Sequence, residues 1–515
     1  MSAGRIVTGD EINADLALSC DVCVVGSGSG GGWLAHELVA RGLDVILLEE
    51  GSYRTRRDFD LTEATANRYL YQELGGRTTE DLGVNILQGR CVGGGTTVNW
   101  CSSFRTPRKI LELWRDRHGV EGLSEAALAP HFEAIEKRLH IAEWPLAQIN
   151  RNNRVLWDGL GKLGYQRGLI RRNVHNCANL GYCGLGCPLD AKMGTLVTVI
   201  PDAVEGGMRL YANASVRRLE TSGRRVTAVH VEVLDPEKDA PTGRRLVVRP
   251  KVTAVCAGAI NSPALLLRSE LTGGGRVGLR TFIHPVVLMV AEFDEPIEGY
   301  AGAPQSVYSH HFIDRGERMG FFLEVAPTYP LAAAATSTAF GTRHQALMER
   351  LPHLQASFAG GLDGALDGDE GGRVALHPDS ARRVRVSYPF GPLQAEMYRT
   401  ACKELAKLQL AAGARRVHSL HHEPVELTSV ADLPKLDAAP WENLRLRVVT
   451  AHLMGGCTMG RDPAKSVVDS RLRYHTLDNL FVVDGSALPT GLGVNPQLTI
   501  FGLARFGAQH VAAAV

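Results

Sequence analysis

Three stretches of this 515-residue chain combine residue types and spacings that could do chemistry. The first is the turn Gly26-Ser-Gly28-Ser29-Gly-Gly31. Gly26 permits a sharp change of direction, Gly28 lets the backbone approach a pyrophosphate with no Cβ in the way, and Gly31 lets the next helix pack against the preceding strand. Ser29 and the free N–H groups at the start of that helix would hold the phosphate charge. An acid stands 23 residues beyond Gly26, where a carboxylate can accept the hydroxyls of an adenosine ribose; Glu49 takes that place, with Glu50 as second choice one residue along. The second stretch, Gly89-Arg90-Cys-Val-Gly93-Gly94-Gly95-Thr96-Thr97-Val98-Asn99, converges backbone amides on an anionic or carbonyl-rich ligand. An NAD-binding domain has no need of it. The third contains His452, in His452-Leu-Met-Gly455-Gly456-Cys457, and 43 residues later Asn495-Pro496. On its own, a histidine in such a run is more often a satisfied core residue than a catalyst.

These residues need a frame. Asp21–Val25 is a valine-rich strand, Gly32–Arg41 reads as a helix, and Asp44–Leu48 is a second strand that ends at Glu49, which together make a βαβ unit. The strand Val252–Cys256 runs into a turn at Gly258 and an apolar helix carrying Pro263. Near the C-terminus, Asn479–Val483 leads to Asp484-Gly485, and a last helix begins near Pro496. Between them, Ser215-Val216 and Arg225–Val233 alternate like a half-exposed antiparallel sheet, and Val216 joins the candidate cofactor contacts. The expected architecture is α/β: a discontinuous, Rossmann-like cofactor domain of residues 15–105, 200–290 and 440–515, with an α+β substrate-binding or lid domain inserted as 106–199 and 291–439.

Composition sets the outer limits. With 44% hydrophobic and 22% charged residues the chain can build a large core. Its 56 basic and 55 acidic residues leave a charge of +1, so no global field favours nucleic acid. The first residues show no apolar signal core and no 18-residue apolar run occurs, so the expected location is cytoplasmic, without a transmembrane segment. Ten cysteines in a chain of this length do not make a secreted disulfide framework. Cys177, Cys183 and Cys187 are close in sequence but lack a nearby fourth ligand, so a structural loop, with or without a disulfide, is expected and no metal site.

Taken together, these motifs resemble the glucose-methanol-choline (GMC) oxidoreductases, FAD enzymes that oxidise alcohols. Gly89 to Asn99 matches one family signature, Gly258-Ala259 through Ser269 a second, and His452–Gly460, Val482–Ser486 and Asn495–Thr499 a third. The resemblance implies FAD rather than NAD. It places His452 and Asn495 at the reactive face of the flavin, and Asp484, Gly485 and the helix from Pro496 along the ribityl chain and pyrimidine end. Members that attach flavin covalently often use a histidine just before the signature asparagine; Val98 stands there, so non-covalent FAD is expected. His284-Pro285 without a preceding acid, together with the Cys183 to Lys192 loop, resembles the long-chain alcohol oxidase branch. That implies an apolar primary alcohol as substrate, a sterol or alicyclic alcohol as alternative, and O₂ or another electron acceptor. A non-catalytic flavin-binding protein is the rival class, which an intact His452 and Asn495 argue against.

Alcohol oxidation needs a proton removed from oxygen before hydride leaves the adjacent carbon. A neutral imidazole suits that task near neutral pH, so His452 is the expected general base and Asn495 the donor to the alcohol oxygen. Glu324, an acid within the apolar run Gly320–Val325, is read either as a proton-handling group with a raised pKa or as an exposed edge residue.

Overall fold

A computed structural model describes residues 4–515. Among these, the largest sheet has eight strands, in the order Arg5–Val7, Arg209–Tyr211, Val45–Leu48, Leu16–Val25, Pro241–Val255, Arg225–Leu234, Ala214–Ser222, with Leu480–Val482 also paired to Pro241–Val255. The pairs that flank Leu16–Val25 are parallel, and their register sets Val25 against both Leu48 and Val255, with Val255 against Val482. Three connections that follow these strands, at Gly26, Glu49 and Cys256, therefore start at one level of the sheet, and Val483 joins them. Ligands of open α/β sheets bind outside such carboxyl ends. Val22, Val24, Ile46, Leu47, Val252 and Ala254 are fully buried, as strands covered on both faces should be.

A second sheet orders Phe321–Ala326, Leu354–Gly361, Val286–Glu292, Arg416–Ser419 and Glu426–Leu427, and the helix Pro392–Ala411 packs on it. Val448–Thr450 pairs with Val286 and, in parallel, with Val84–Ile86. The sheets depart from the expected segment limits. Arg5–Val7, upstream of residue 15, joins the cofactor sheet, while 84–86, 286–290 and 448–450 belong to the second sheet. The first helix also starts earlier than Gly32, at Ser29, because Gly28 already serves as its N-cap. Among the described residues no helix is long and apolar enough to cross a membrane.

Candidate active site

Of the candidate catalytic and cofactor-binding residues, all but Gly31 and Gly93 line one continuous cavity, and Glu324 lies behind its wall. Gly26 has φ +100°, and a Cβ on it would meet the Cys256 carbonyl oxygen at 2.4 Å, so the turn requires glycine. A Cβ on Gly94 would come within 2.8 Å of the Gly28 Cα. The two Gly-rich loops therefore touch, and together they form a floor of bare backbone.

Glu49 already accepts three hydrogen bonds from the protein. Its Oε2 accepts from Ser27 N–H (2.9 Å) and Ser27 Oγ–H (2.6 Å), and its Oε1 accepts from Gly51 N–H (2.8 Å). Ser27 Oγ in turn accepts from Gly93 N–H at 2.9 Å, which ties the second Gly-rich loop to the first. Burial raises the Glu49 pKa, against these hydrogen bonds. A carboxylate has about four lone-pair sites, so three donors leave room for a ribose hydroxyl. Glu50 is committed elsewhere, pairing with Arg90 at 2.9 Å, and Arg90 also reaches Asp239 at 2.6 Å. On the same wall the buried Nε of Arg268 has no protein partner and is an unspent donor in the lining of the cavity. Asp484 differs from expectation: both carboxylate oxygens are taken by Gly258 N–H, Ser486 N–H and the Ser262 and Ser486 hydroxyls. Its carboxylate braces the turns; only the main chain there is free to meet a ligand. A backbone floor, a buried carboxylate with a lone pair to spare and an arginine Nε without a partner fit FAD.

At the other end His452 faces the cavity from a segment held by Thr450, whose Oγ1 accepts from His452 N–H at 3.2 Å. Burial pushes the His452 pKa down to about 4, so the ring is neutral near pH 7. Its Nε2 is 3.3 Å from Asn495 Nδ2, which also lies 3.4 Å from Glu324 Oε2. Gln305 Nε2 donates to the same Glu324 oxygen at 2.7 Å. Glu324 is fully buried, so the exposed-edge alternative is excluded: its strand is at the sheet edge, but the side chain points inward. Desolvation raises its pKa to about 8, against the Asn495 hydrogen bond. Glu324 Oε1 and Asn495 Oδ1 have no partner. Val286, Leu288, Ala326, Phe358 and Trp100 complete this end of the cavity.

Two residues of the site were not singled out as functional by their sequence. Gln305 lines the cavity and is fixed by Ser102 Oγ–H, and His284 stands directly behind His452 with the two Nδ1 atoms 3.2 Å apart. A His-Pro pair and a glutamine in a loop carry no local signal for either task. The cysteine loop is structural in its contacts. Lys192 donates to the carbonyls of Thr97, Asn99 and Cys183, which pins the loop to the second Gly-rich segment, and all ten cysteines are free thiols. Among the described residues no group of three or more His, Cys, Asp or Glu side chains is placed to hold a metal ion.

The Glu49 network makes a measurable claim. Glu49→Ala should weaken FAD binding about 10- to 100-fold, because charge-assisted hydrogen bonds of about 1.5–3 kcal/mol are lost. The variant should purify with a low flavin-to-protein ratio. Acid precipitation of the wild-type protein should leave its FAD in the supernatant; flavin that stays with the polypeptide would refute non-covalent binding.

Comparison with known proteins gives a consistent picture. Family models described as GMC oxidoreductase match residues 67–286 and 369–504. An uncharacterized GMC-type oxidoreductase of Mycobacterium tuberculosis is 31% identical over 510 residues, covering 96% of this chain and 76% of the relative. A long-chain-alcohol oxidase of Arabidopsis thaliana is 29% identical over 524 residues, covering 95% of this chain and 68% of the relative. The crystal structure of pyridoxine 4-oxidase from Mesorbium loti matches with a TM-score of 0.69 at 20% identity, over 95% of this chain and 99% of that one, a likeness of fold.

Proposed function

The chain belongs to the GMC oxidoreductase family of FAD enzymes, and from that premise we propose that it oxidises an apolar primary alcohol, long-chain or aromatic, to the aldehyde. The observation that carries this reading is the contrast between the two ends of the cavity. Charged side chains, Glu49, Glu50, Arg90 and Arg268, line the cofactor end, whereas Val286, Leu288, Ala326, Phe358 and Trp100 surround His452 and Asn495. A sugar would find few partners for its several hydroxyls on those walls, where Ser102, Gln305 and Thr450 add the polar side chains. FAD, when bound, supplies the hydride acceptor. The protein's own groups must orient the alcohol oxygen and take its proton.

Two assignments of the proton compete. In the first, His452 Nε2 accepts it and Asn495 donates to the oxygen, which requires the imidazole proton to sit on Nδ1. In the second, His452 donates from Nε2 and the proton passes to Glu324, directly or through one water. The contact between His284 and His452 favours the second, because it asks His452 Nδ1 to accept.

A substrate series tests the apolar reading. Anaerobic mixing with primary alcohols of increasing length should bleach the flavin, with kcat/KM rising about fourfold per methylene while the chain is still being buried. A cyclic or sterol alcohol that outpaces all linear ones would move the assignment to the alicyclic class. Preference for a sugar or choline would overturn it.

A further inference from the structure

His284 Nε2 accepts the N–H groups of Leu492 (2.9 Å) and Gly493 (3.0 Å). Both donors are main chain and cannot be reversed, so this nitrogen carries no proton. A neutral His284 then holds its proton on Nδ1, which faces His452 Nδ1 at 3.2 Å. His452 Nδ1 must accept, and a neutral His452 therefore carries its proton on Nε2, the atom beside Asn495. Turning the His284 ring over would set a carbon against two buried N–H groups and leave both unpaired. The Asn495 amide meets an Nε2–H by exchanging its oxygen and nitrogen; the amide oxygen then faces Glu324 as well, and a protonated Glu324 carboxyl, its pKa raised by burial, can donate to it.

We propose that His284 is a positioning residue that fixes His452 in the Nε2–H tautomer, so that His452 meets the alcohol as a hydrogen-bond donor. The inference rests on the alcohol-oxidising reading of the site but concerns a property of the protein alone. A second observation supports it. His284 has φ +45°, left-handed for a residue with a Cβ and directly before Pro285, where extended backbone is the usual choice. Such a conformation persists only where its surroundings enforce it. Asp363 does so, accepting Ile283 N–H (2.7 Å) and His284 N–H (3.2 Å), with the Tyr388 hydroxyl on the same carboxylate (3.0 Å). The strained turn drives the imidazole between the 492–493 backbone and His452, flanked by Phe322. Burial, and next the neighbouring His452, lower the His284 pKa well below its usual value, so the pair stays neutral. The nearby titratable groups are Asp363, pushed up to about 7 chiefly by burial, and Glu324 beyond Asn495.

Nitrogen-15 spectra of histidine-labelled, FAD-loaded protein test the proposal directly. His452, assigned by the signal missing in His452→Gln, should show a protonated Nε2 and a bare Nδ1 between pH 7 and 8. A proton on His452 Nδ1, alone or in an imidazolium, overturns the proposal, and this wild-type measurement needs no engineered change at position 284. Asn and Asp both tolerate left-handed backbone, so either fits position 284. His284→Asp replaces the donor by an acceptor; it should move the His452 proton to Nδ1 and slow flavin reduction by about 10²-fold, as expected on losing a donor to the developing alkoxide. His284→Asn keeps an N–H in reach of Nδ1 and should rescue both the tautomer and most of that loss. Equal rates for His284→Asp and wild type would also refute it. Failure of the alcohol series alone would instead change the substrate and leave the tautomer untouched.

Discussion

FAD-loaded His452→Ala should reduce its flavin with alcohol about 10²- to 10⁴-fold more slowly than wild type, whether the lost group is a donor to the oxygen or a base. Fold and flavin content should be kept, because His452 lies at the apolar end of the cavity, away from Glu49 and the Gly-rich floor. The size of the loss does not separate the two roles. His452→Gln does. A glutamine amide can reach the position of Nε2 and donate a hydrogen bond, yet it cannot hold a proton as a base near neutral pH. As a donor site, His452→Gln should regain about tenfold or more over alanine. As a base site, the two variants should be equally slow. A loaded His452→Ala that reduces at the wild-type rate across pH 6 to 9 would remove His452 from the chemistry altogether.

The cofactor half of this site could be read from sequence because its signals are local. Gly26, Gly28 and Glu49 lie within one βαβ unit, and the register of three parallel strands brings their loops to one level. Asp484 shows the limit of such reading: a motif marks the residue, but only the folded turns show that its carboxylate is spent on Gly258, Ser262 and Ser486. The substrate half was harder. Glu324 stands in a run whose alternation cannot say which face is covered, and the covering residues Gln305 and Asn495 are 19 and 171 positions away. His284 reaches His452 across 168 residues, because one sheet joins Val286 to Val449. No spacing rule reports a contact of that range, nor the proton position it dictates.

Glu324→Gln is expected to separate catalysis from stability. The Glu324 carboxyl is pushed up to about 8 by burial, and its unpartnered Oε1 leaves it a proton acceptor without an ion pair. If Glu324 takes the alcohol proton, wild-type flavin reduction should fall about tenfold for each pH unit below 8 and level off above it. Glu324→Gln should be slower by about 10²- to 10⁴-fold and lose that step. With His452 as acceptor the profile would be flat from pH 6 to 9, since its pKa of about 4 leaves it unprotonated throughout. Stability should move the other way. The folded-state pKa of Glu324 is raised above the unfolded value of about 4.3, so the native protein keeps a proton that the unfolded chain releases. The associated stability is complete below the unfolded value and is lost as pH rises toward 8. Glutamine removes that penalty while still offering an oxygen to Gln305 and an amide group to Asn495, so Glu324→Gln should melt above wild type at pH 8 and close to it near pH 4. A variant that is slower yet more stable marks a buried acid retained for chemistry. Wild-type activity with a lower melting temperature would instead make Glu324 a packing residue and return the proton to His452.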